Sequence, residues 1–545
     1  MVDNLVSQTY TTQRKNIFLM VLAMLTAGNL TAEVSVSANL FLGRSFSANI
    51  TREMLMTGPN NQFSNGGING FFAIDAAYQR AWQQSETQGI GAYPFWSQTN
   101  SMTVGNYSGE SNIDAYQFGL GPVNTTGSIS LNPIIYQNGS DFMFYVRGKQ
   151  YGWSPFAKIK SAITAMVVNP GLTEPVAVTP QPYAPGALQT SSTLAYTPAP
   201  STSMIQAFAG VTGTQKARDD FRPMQYGLIN GTQSTGAHFS DTEMTVGYNY
   251  TCDETDNTVS FGLRVTAPTG VKPDGVYILQ PINGRGGNWG VGFYLAGEYQ
   301  VWHNEPQEHA LKLNFMSNGI HLCSAEVIRS YDLTANGHGS KYLLVADYQN
   351  GVYQNSVQNL VNLSTLTSTS SFAFEGDAAL GISYSHRGFS VDLGYEAWGR
   401  TAEKLTISEN VVNNRYAVLG RQPVGYDNLG AENPVNACQP LAMINLSNPN
   451  VAQAIPSTDA TVTSQSSIVN ATVAANRISG TNALNTAITA QYAAVTSKIF
   501  AKIGYNWRES QCCPYLNLVG ECEWSNISNN ALPQWGIVLM GGISL

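Results

Sequence analysis

Charge is scarce in this sequence. Asp, Glu, Lys and Arg make up 11% of the 545 residues, whereas soluble domains carry about 25%. The formal net charge is −8, and Lys and Arg form no clustered run. Nucleic-acid binding needs a basic face that contacts phosphates, so the sequence argues against a nucleic-acid partner.

Long hydrophobic runs are also missing. A helix needs about 20 apolar residues to cross a bilayer, and no stretch after residue 32 reaches that length. The mean hydropathy of −0.12 is too polar for a bundle of apolar helices. The short run at 17–25 follows Arg14 and Lys15, as in a secretory signal peptide. We predict a signal peptide over 1–32, cleaved near Ala32, and expect a membrane-bound mature chain to span with strands.

Catalytic and metal-binding motifs are lacking as well. The six cysteines do not have zinc-site spacing, and they allow 15 disulfide pairings, among which the sequence does not choose. No nucleophile elbow, HExxH motif, Walker loop or Rossmann glycine pattern is present. The glycine-rich stretch at 284–287 has no helix after it and is interpreted as loop. We predict no catalytic residue, cofactor or metal, and the protein is not expected to be an enzyme.

What the sequence does contain is alternation of apolar and polar residues. Val259, Phe261 and Leu263 alternate with Ser260 and Arg264, so a strand here has one apolar and one polar face. Comparable segments occur at 71–82, 113–121, 142–148, 156–168, 244–251, 259–267, 291–302, 311–315, 372–384, 389–400, 495–507, 515–524 and 535–545. A further strand is expected to begin at Glu33.

The connections between these segments alternate between short and long. This asymmetry is typical of transmembrane barrels, which have tight periplasmic turns and longer outer loops. The predicted fold is therefore all-β: a transmembrane antiparallel β-barrel of about 14 strands (12–16), forming one domain over 33–545. Its long extracellular loops are expected at 169–241, 268–288, 317–370 and 401–494. The nearly uncharged stretches 169–214 and 441–476 are expected to bury little apolar area, as flexible surface loops or as a loop folded into the pore.

Charged side chains fall mainly on the polar faces of the strands, where they would line the lumen. They either tune solute selection along a water-filled wall or form cross-strand ion pairs, such as Glu396 with Lys498 and Lys502 with Glu521. The candidate lumen-lining residues are Lys158, Lys160, Arg264, Glu298, Lys312, Glu375, Asp377, Asp392, Glu396, Arg400, Lys498, Lys502, Glu521 and Glu523. Fourteen strands enclose more space than side chains fill, so a water path or a plug is expected.

The last segment carries Trp535, Ile537, Leu539, Ile543 and Leu545 on one face. It resembles the C-terminal assembly signal of bacterial outer-membrane proteins, although Leu545 stands where Phe is typical. The resemblance concerns architecture and identifies no subfamily. It implies a porin-like barrel, inserted into the outer membrane by the barrel-assembly machinery.

These features favour a porin-like channel for passive diffusion of small hydrophilic solutes. An alternative is a barrel with a plugged lumen that acts in adhesion or surface display through its long neutral loops. A third hypothesis, a secreted β-sandwich protein or enzyme, fits the apolar final strand poorly. The expected partners are bilayer lipid, the barrel-assembly machinery and small hydrophilic solutes, and the sequence is compatible with a homo-oligomer.

Overall fold

Twelve antiparallel strands form a closed barrel. The computed structural model describes residues 40–57, 68–82, 90–92, 94–95, 99–105, 113–121, 123–183, 198–212, 221–304, 308–334, 337–349, 352–411, 415–418, 480–510, 512–525 and 531–544. The barrel strands are β1 (Asn69–Ala81), β2 (Ile134–Arg147), β3 (Gly152–Asn169), β4 (Thr242–Thr251), β5 (Thr258–Ala267), β6 (Gly290–Asn304), β7 (His309–Ser330), β8 (Thr365–His386), β9 (Phe389–Arg400), β10 (Ala494–Asn506), β11 (Tyr515–Ser525) and β12 (Gln534–Ser544).

Each barrel strand pairs with its sequence neighbours, and the first strand closes the ring. β1 pairs with β2 along one edge and with β12 along the other, where Phe71 lies opposite Ser544 and Ala81 opposite Gln534. A closed sheet leaves no unpaired edge, as a membrane-spanning sheet requires. The prediction of a closed antiparallel β-barrel is confirmed.

The twelve wall strands lie at the lower limit of the predicted range of 12–16, and the central value of 14 is not confirmed. Segment 113–121 forms only the short strand Ile113–Asp114 and the 3-10 turn Ala115–Phe118, both buried outside the barrel wall. The strand expected from Glu33 begins outside the described residues, and residues 40–49 contain no strand. Segment 113–121 alternates because it is buried in the protein outside the barrel wall.

The two ends of the barrel differ in their connections. At one end the strands are joined by short turns at 148–151, 252–257, 305–308, 387–388 and 507–514. At the other end the strands are joined by the long connections 82–133, 170–241, 268–289, 331–364 and 401–493, parts of which are described, and by the shorter connection 526–533. The third of the predicted long loops, 317–370, was placed too wide: β7 and β8 continue past the rim as a paired ribbon, with Ser330 opposite Thr365. That ribbon is rich in Ser and Thr and lacks the apolar alternation of the wall.

The outer face of the barrel is apolar. Phe261, Leu263 and Val265 are 47%, 66% and 39% exposed, while Arg264 between them is buried inside. This confirms that the apolar face of each strand points outward, where lipid would cover it. None of the helices in the described ranges is long and apolar enough to span a membrane.

The long loops fold into a compact body over one end of the barrel, here called the cap. Its apolar core includes Phe118, Phe208, Tyr342 and Val361. Two four-stranded sheets support it, made of Ile113–Asp114, Ser101–Gly105, Gly127–Leu131 and Leu172–Val176, and of Tyr416–Val418, Leu344–Gln349, Val352–Asn359 and Phe221–Arg222. For the described residues 169–183 and 198–212, the expectation that 169–214 buries little apolar area is wrong, because Val178, Tyr183, Met204 and Phe208 are all buried. Residues 441–476 lie outside the described part.

The remaining elements are short. Gln233–Ser234 and His238–Phe239 pair with β3, and Glu403–Ile407 pairs with β8. The helices are α1 (Ile50–Thr57), α2 (Met204–Phe208), α3 (Val361–Ser364) and α4 (Thr486–Thr489), with 3-10 turns at Ile90–Ala92, Ala115–Phe118, Ser340–Tyr342 and Gly480–Ala483. Among the helices of the described ranges, only α1 lies within the barrel.

Candidate functional site

Residues 40–57 run through the interior of the barrel and are called the plug. The plug ends in α1, of which residues 50–56 are all buried. Asn49 begins the helix: its side-chain oxygen accepts a hydrogen bond from the backbone N–H of Arg52 at 3.1 Å. Glu53 lies in the first turn, where the helix dipole favours a negative charge. The sequence thus forms a short, capped helix inside the lumen.

One side of α1 is apolar and fills the half of the lumen near the short turns. Ile50, Met54 and Leu55 join an apolar cluster with inward-facing wall residues such as Phe71 and Phe500. Removing this surface from water stabilises the seated plug by about 25 cal/mol per Å². The plug is therefore packed against the wall, without a continuous water layer between them along this face.

The carboxylate of Glu53 lies among three cations of the wall. It pairs with Lys158, with Arg264 at 2.5 Å and with Lys160 at 3.8 Å. Burial alone would raise the pKa of Glu53, but these three cations outweigh burial and hold the pKa well below its usual range. Glu53 is thus an anion held in a basic part of the wall.

The two arginines of the plug contact acidic parts of the wall. Arg44 pairs with Glu396, with Asp377 at 3.2 Å and with Glu523 at 3.5 Å. Arg52 pairs with Asp141 at 3.0 Å. A buried charge is tolerated only when it is paired and hydrogen-bonded, so these contacts specify where the plug sits.

A second insertion comes from the loop between β5 and β6. Arg285 reaches into the lumen and pairs with Glu375 at 2.7 Å, with Glu243 at 3.0 Å and with Asp241 at 3.4 Å. Gly286 and Gly287 follow it with φ of 67° and 99°, which let the backbone turn there. The interpretation of 284–287 as loop holds, and this loop contributes to the closure of the lumen.

The predicted lumen-lining residues divide into two groups. Twelve of the fourteen are buried inside the barrel: Lys158, Lys160, Arg264, Glu375, Asp377, Asp392, Glu396, Arg400, Lys498, Lys502, Glu521 and Glu523. The other two, Glu298 and Lys312, pair with each other at 2.5 Å and are more exposed, toward the short turns. The role of all fourteen in lining a solute path stays a prediction.

The cross-strand ion pairs match the prediction in one case and differ in the other. Lys498 pairs with Glu396 at 2.6 Å. Lys502 pairs with Asp392 in place of Glu521, because Asp392 lies directly opposite it in the β9–β10 register. Glu521 accepts hydrogen bonds from the plug residue Asn49 at 3.2 Å and from Gln79 at 2.6 Å.

Sequence reasoning missed Arg44, Arg52, Glu53 and Arg285 as parts of this site. They belong to segments without strand periodicity, so the alternation gave no signal for them. The predicted lumen-lining residues gave no signal either, because their seven cations and seven carboxylates balance. A small cavity lined by Arg44, Gln137 and Trp398 remains between the plug and the wall.

No family model matches the chain, and no curated protein matches it. Several solved structures are similar at low identity. An outer-membrane channel from Pseudomonas putida F1 is 8% identical, with 90% of this chain and 98% of that chain covered and a TM-score of 0.35. A Pseudomonas aeruginosa FadL homologue is 8% identical, with 93% and 99% covered and a TM-score of 0.28. The β domain of the Bordetella autotransporter BrkA is 6% identical, with 88% and 100% covered and a TM-score of 0.30.

Proposed function

We propose that the protein is an outer-membrane channel for small hydrophilic solutes, closed at rest by its plug. The observation that carries the proposal is the ion-paired plug inside a closed barrel with an apolar exterior. Eight-stranded barrels are filled by side chains and barrels of 16–18 strands leave an aqueous channel. A barrel of twelve strands lies between these sizes and has room for one inserted segment of chain.

The proposed outer-membrane location is supported by the outer face and the final strand. Exposed apolar side chains such as Leu263 and Ile537 need a lipid environment, and the closed sheet provides internal partners for the backbone. Insertion by the barrel-assembly machinery is part of the proposal, because β12 resembles the assembly signal of outer-membrane proteins. Purified protein should show a shift in gel mobility on boiling, as closed barrels do.

A hydrophilic cargo is favoured by the inner wall. If the plug moves out, the buried charges of the wall become the lining of a water-filled path, and such linings select polar solutes. The same wall charges also stabilise the closed state, because they pair with Arg44, Arg52 and Glu53 while the plug is seated.

Planar-bilayer conductance of the full chain tests this function. The wild type should be closed most of the time, with rare openings. Arg52→Ala/Glu53→Gln should open the channel much more often, because breaking a buried ion pair costs about 3–5 kcal/mol. Arg508 and Glu509 are an adjacent Arg–Glu pair exposed in a short turn, so Arg508→Ala/Glu509→Gln is the matched control and should behave as wild type. A folded Arg52→Ala/Glu53→Gln protein that stays as silent as the wild type would contradict the proposal.

The plugged lumen also favours a second candidate, adhesion or surface display through the cap. The cap carries exposed apolar side chains at Val176, Ile205 and Val211, which a partner surface could cover. Under this candidate every lumen variant is silent in bilayers. Replacing the three apolar side chains with Ser would then abolish surface binding while the gel-mobility shift is retained.

A further inference from the structure

The inner wall has a basic sector formed by β3, β4 and β5. Its buried charged residues are Lys158, Lys160 and Arg264 against one carboxylate, that of Glu243. Three cations against one anion leave this sector with a net charge of +2. The carboxylate of Glu53 lies within this sector, so the seated plug supplies part of the missing negative charge.

An acidic sector is formed by β8 to β11. It has six buried carboxylates against three buried cations, a net charge of −3: Glu375, Asp377, Asp392, Glu396, Glu521 and Glu523 against Arg400, Lys498 and Lys502. The guanidinium of Arg44 lies within this sector. The plug therefore places Arg44 and Glu53 against wall charges of opposite sign, and its second arginine, Arg52, against Asp141 of β2.

The two sectors lie across the lumen from each other. The barrel is a ring of twelve strands in sequence order, so β4 and β10, six strands apart, lie on opposite sides. Glu53 and Arg44 thus form a dipole that spans the lumen.

Displacing the plug removes both counter-charges at once. In a narrow water-filled path, the low-dielectric walls focus the field of these charges onto a solute. A simple anion can neutralise only the basic sector, and a simple cation only the acidic one. A solute with both charges can occupy the two sectors together, as Glu53 and Arg44 do.

We infer that the open channel favours zwitterionic solutes, of the chemical class of amino acids and short peptides. The ammonium group of the solute faces β8–β11 and its carboxylate faces β3–β5. This inference rests on the proposed channel function and names the class of solute that the channel takes. The plug acts as an internal substitute for that solute.

Osmotic swelling of proteoliposomes tests the inference with two solutes of similar size. Glycylglycine is a zwitterion and erythritol is uncharged; both have no net charge, so neither needs a counter-ion to enter. The liposomes contain the full chain with Arg52→Ala/Glu53→Gln, the double substitution that is expected to favour the open channel. Glycylglycine should enter faster than erythritol by on the order of threefold or more, since oppositely charged walls concentrate a matching solute.

Variants of the wall show whether the sectors cause this preference. Lys158→Gln/Arg264→Gln in the same open background should bring the ratio of the two swelling rates toward one. Arg508→Ala/Glu509→Gln in that background should leave the ratio unchanged. A shift in gel mobility on boiling shows for each variant that the barrel is folded.

The outcomes separate the inference from the function on which it rests. Equal swelling rates through an open channel overturn the inference and leave the channel function standing. A preference for glycylglycine that survives Lys158→Gln/Arg264→Gln also overturns it, because the basic sector is then not its cause. No swelling with either solute in any folded variant overturns the channel function, and the inference with it.

Discussion

The interior of the barrel and the core of the cap are packed in opposite ways. Inside the barrel, the plug meets the wall through ion pairs such as Glu53 with Arg264 and Arg44 with Asp377. In the cap, aromatic and aliphatic side chains fill the core, and Phe208 lies 4.9 Å from Phe118 and 5.4 Å from Tyr342 between ring centroids. Both regions are buried, but different forces hold them.

The difference follows from what surrounds each region. The wall strands turn their apolar faces outward, so their polar faces line the lumen and only a charged or polar insert fits there. The cap is built outside the wall from loops, and it buries apolar side chains as a soluble domain does. The lumen is therefore sensitive to loss of single charges, whereas the cap is sensitive to loss of apolar volume. The predictions below rest on this contrast.

The largest effect is expected from Arg285→Ala in the lumen. This change leaves Glu243, Glu375 and Asp241 without the guanidinium that pairs with them, at a cost of about 3–5 kcal/mol. Hydrogen exchange should show loss of protection at 282–288 with the barrel strands unchanged. If residues 282–288 stay as protected from exchange as in the wild type, packing in the lumen does not depend on its ion pairs. The contrast with the cap would then be contradicted.

A smaller effect is expected from Ile113→Val in the cap core. Ile113 is fully buried, and removal of one buried methyl group there costs about 1 kcal/mol. Limited proteolysis should cut the cap several-fold faster, while conductance stays as in the wild type. As a control, Ile205→Val alters an exposed side chain of α2 and should not change the cutting rate.

The smallest effect is expected from pH, through His338 in the cap. Burial lowers the pKa of His338, with Lys341 acting in the same direction and Asp332 against it. An unfolded cap would take up a proton on His338 at a higher pH than the folded cap. Stability is therefore complete above the ordinary histidine pKa of about 6.5 and decreases as the pH falls toward the lowered value.

Proteolysis of the wild type and His338→Gln at matched pH measures this effect. The cutting rate of the wild type divided by that of His338→Gln should rise as the pH is lowered from 7.5 to 5. Only the wild type has the histidine whose protonation favours the unfolded cap. A ratio that is constant over this range would show that His338 does not couple the cap to pH.

The barrel wall could be predicted from the sequence because its signal is local. Apolar and polar residues alternate along segments such as 259–267 and 389–400. This alternation indicates a strand whose two faces lie in different environments, one apolar and one polar. The short turns could be located for the same reason, since each one ends a periodic segment. The inward charges were also found, because the lipid face excludes them.

The plug and the cap could not be predicted in this way, because their structure depends on partners far away in sequence. α1 has eight residues and is buried on all sides, and Arg52 and Glu53 within it look like an ordinary exposed pair. Segment 113–121 alternates as a wall strand does, yet it packs in the cap core around Ile113 and Phe118. Composition was misleading for the described residues 169–183 and 198–212, because their scarcity of charge reflects burial in the cap core.

A reversible tether between plug and wall tests the central claim most directly. The end of the Met54 side chain lies 3.3 Å from the position that a Cβ on Gly381 of β8 would take, and neither residue is part of the ion pairs. The measurement is the single-channel conductance of Met54→Cys/Gly381→Cys in a background where all six native cysteines are Ser and Arg52→Ala/Glu53→Gln favours opening. Bridging the two thiols with a short reducible cross-linker should hold the channel closed, and adding reductant should restore the openings. Openings that are equally frequent before and after reduction, in protein shown to be cross-linked, would contradict the account.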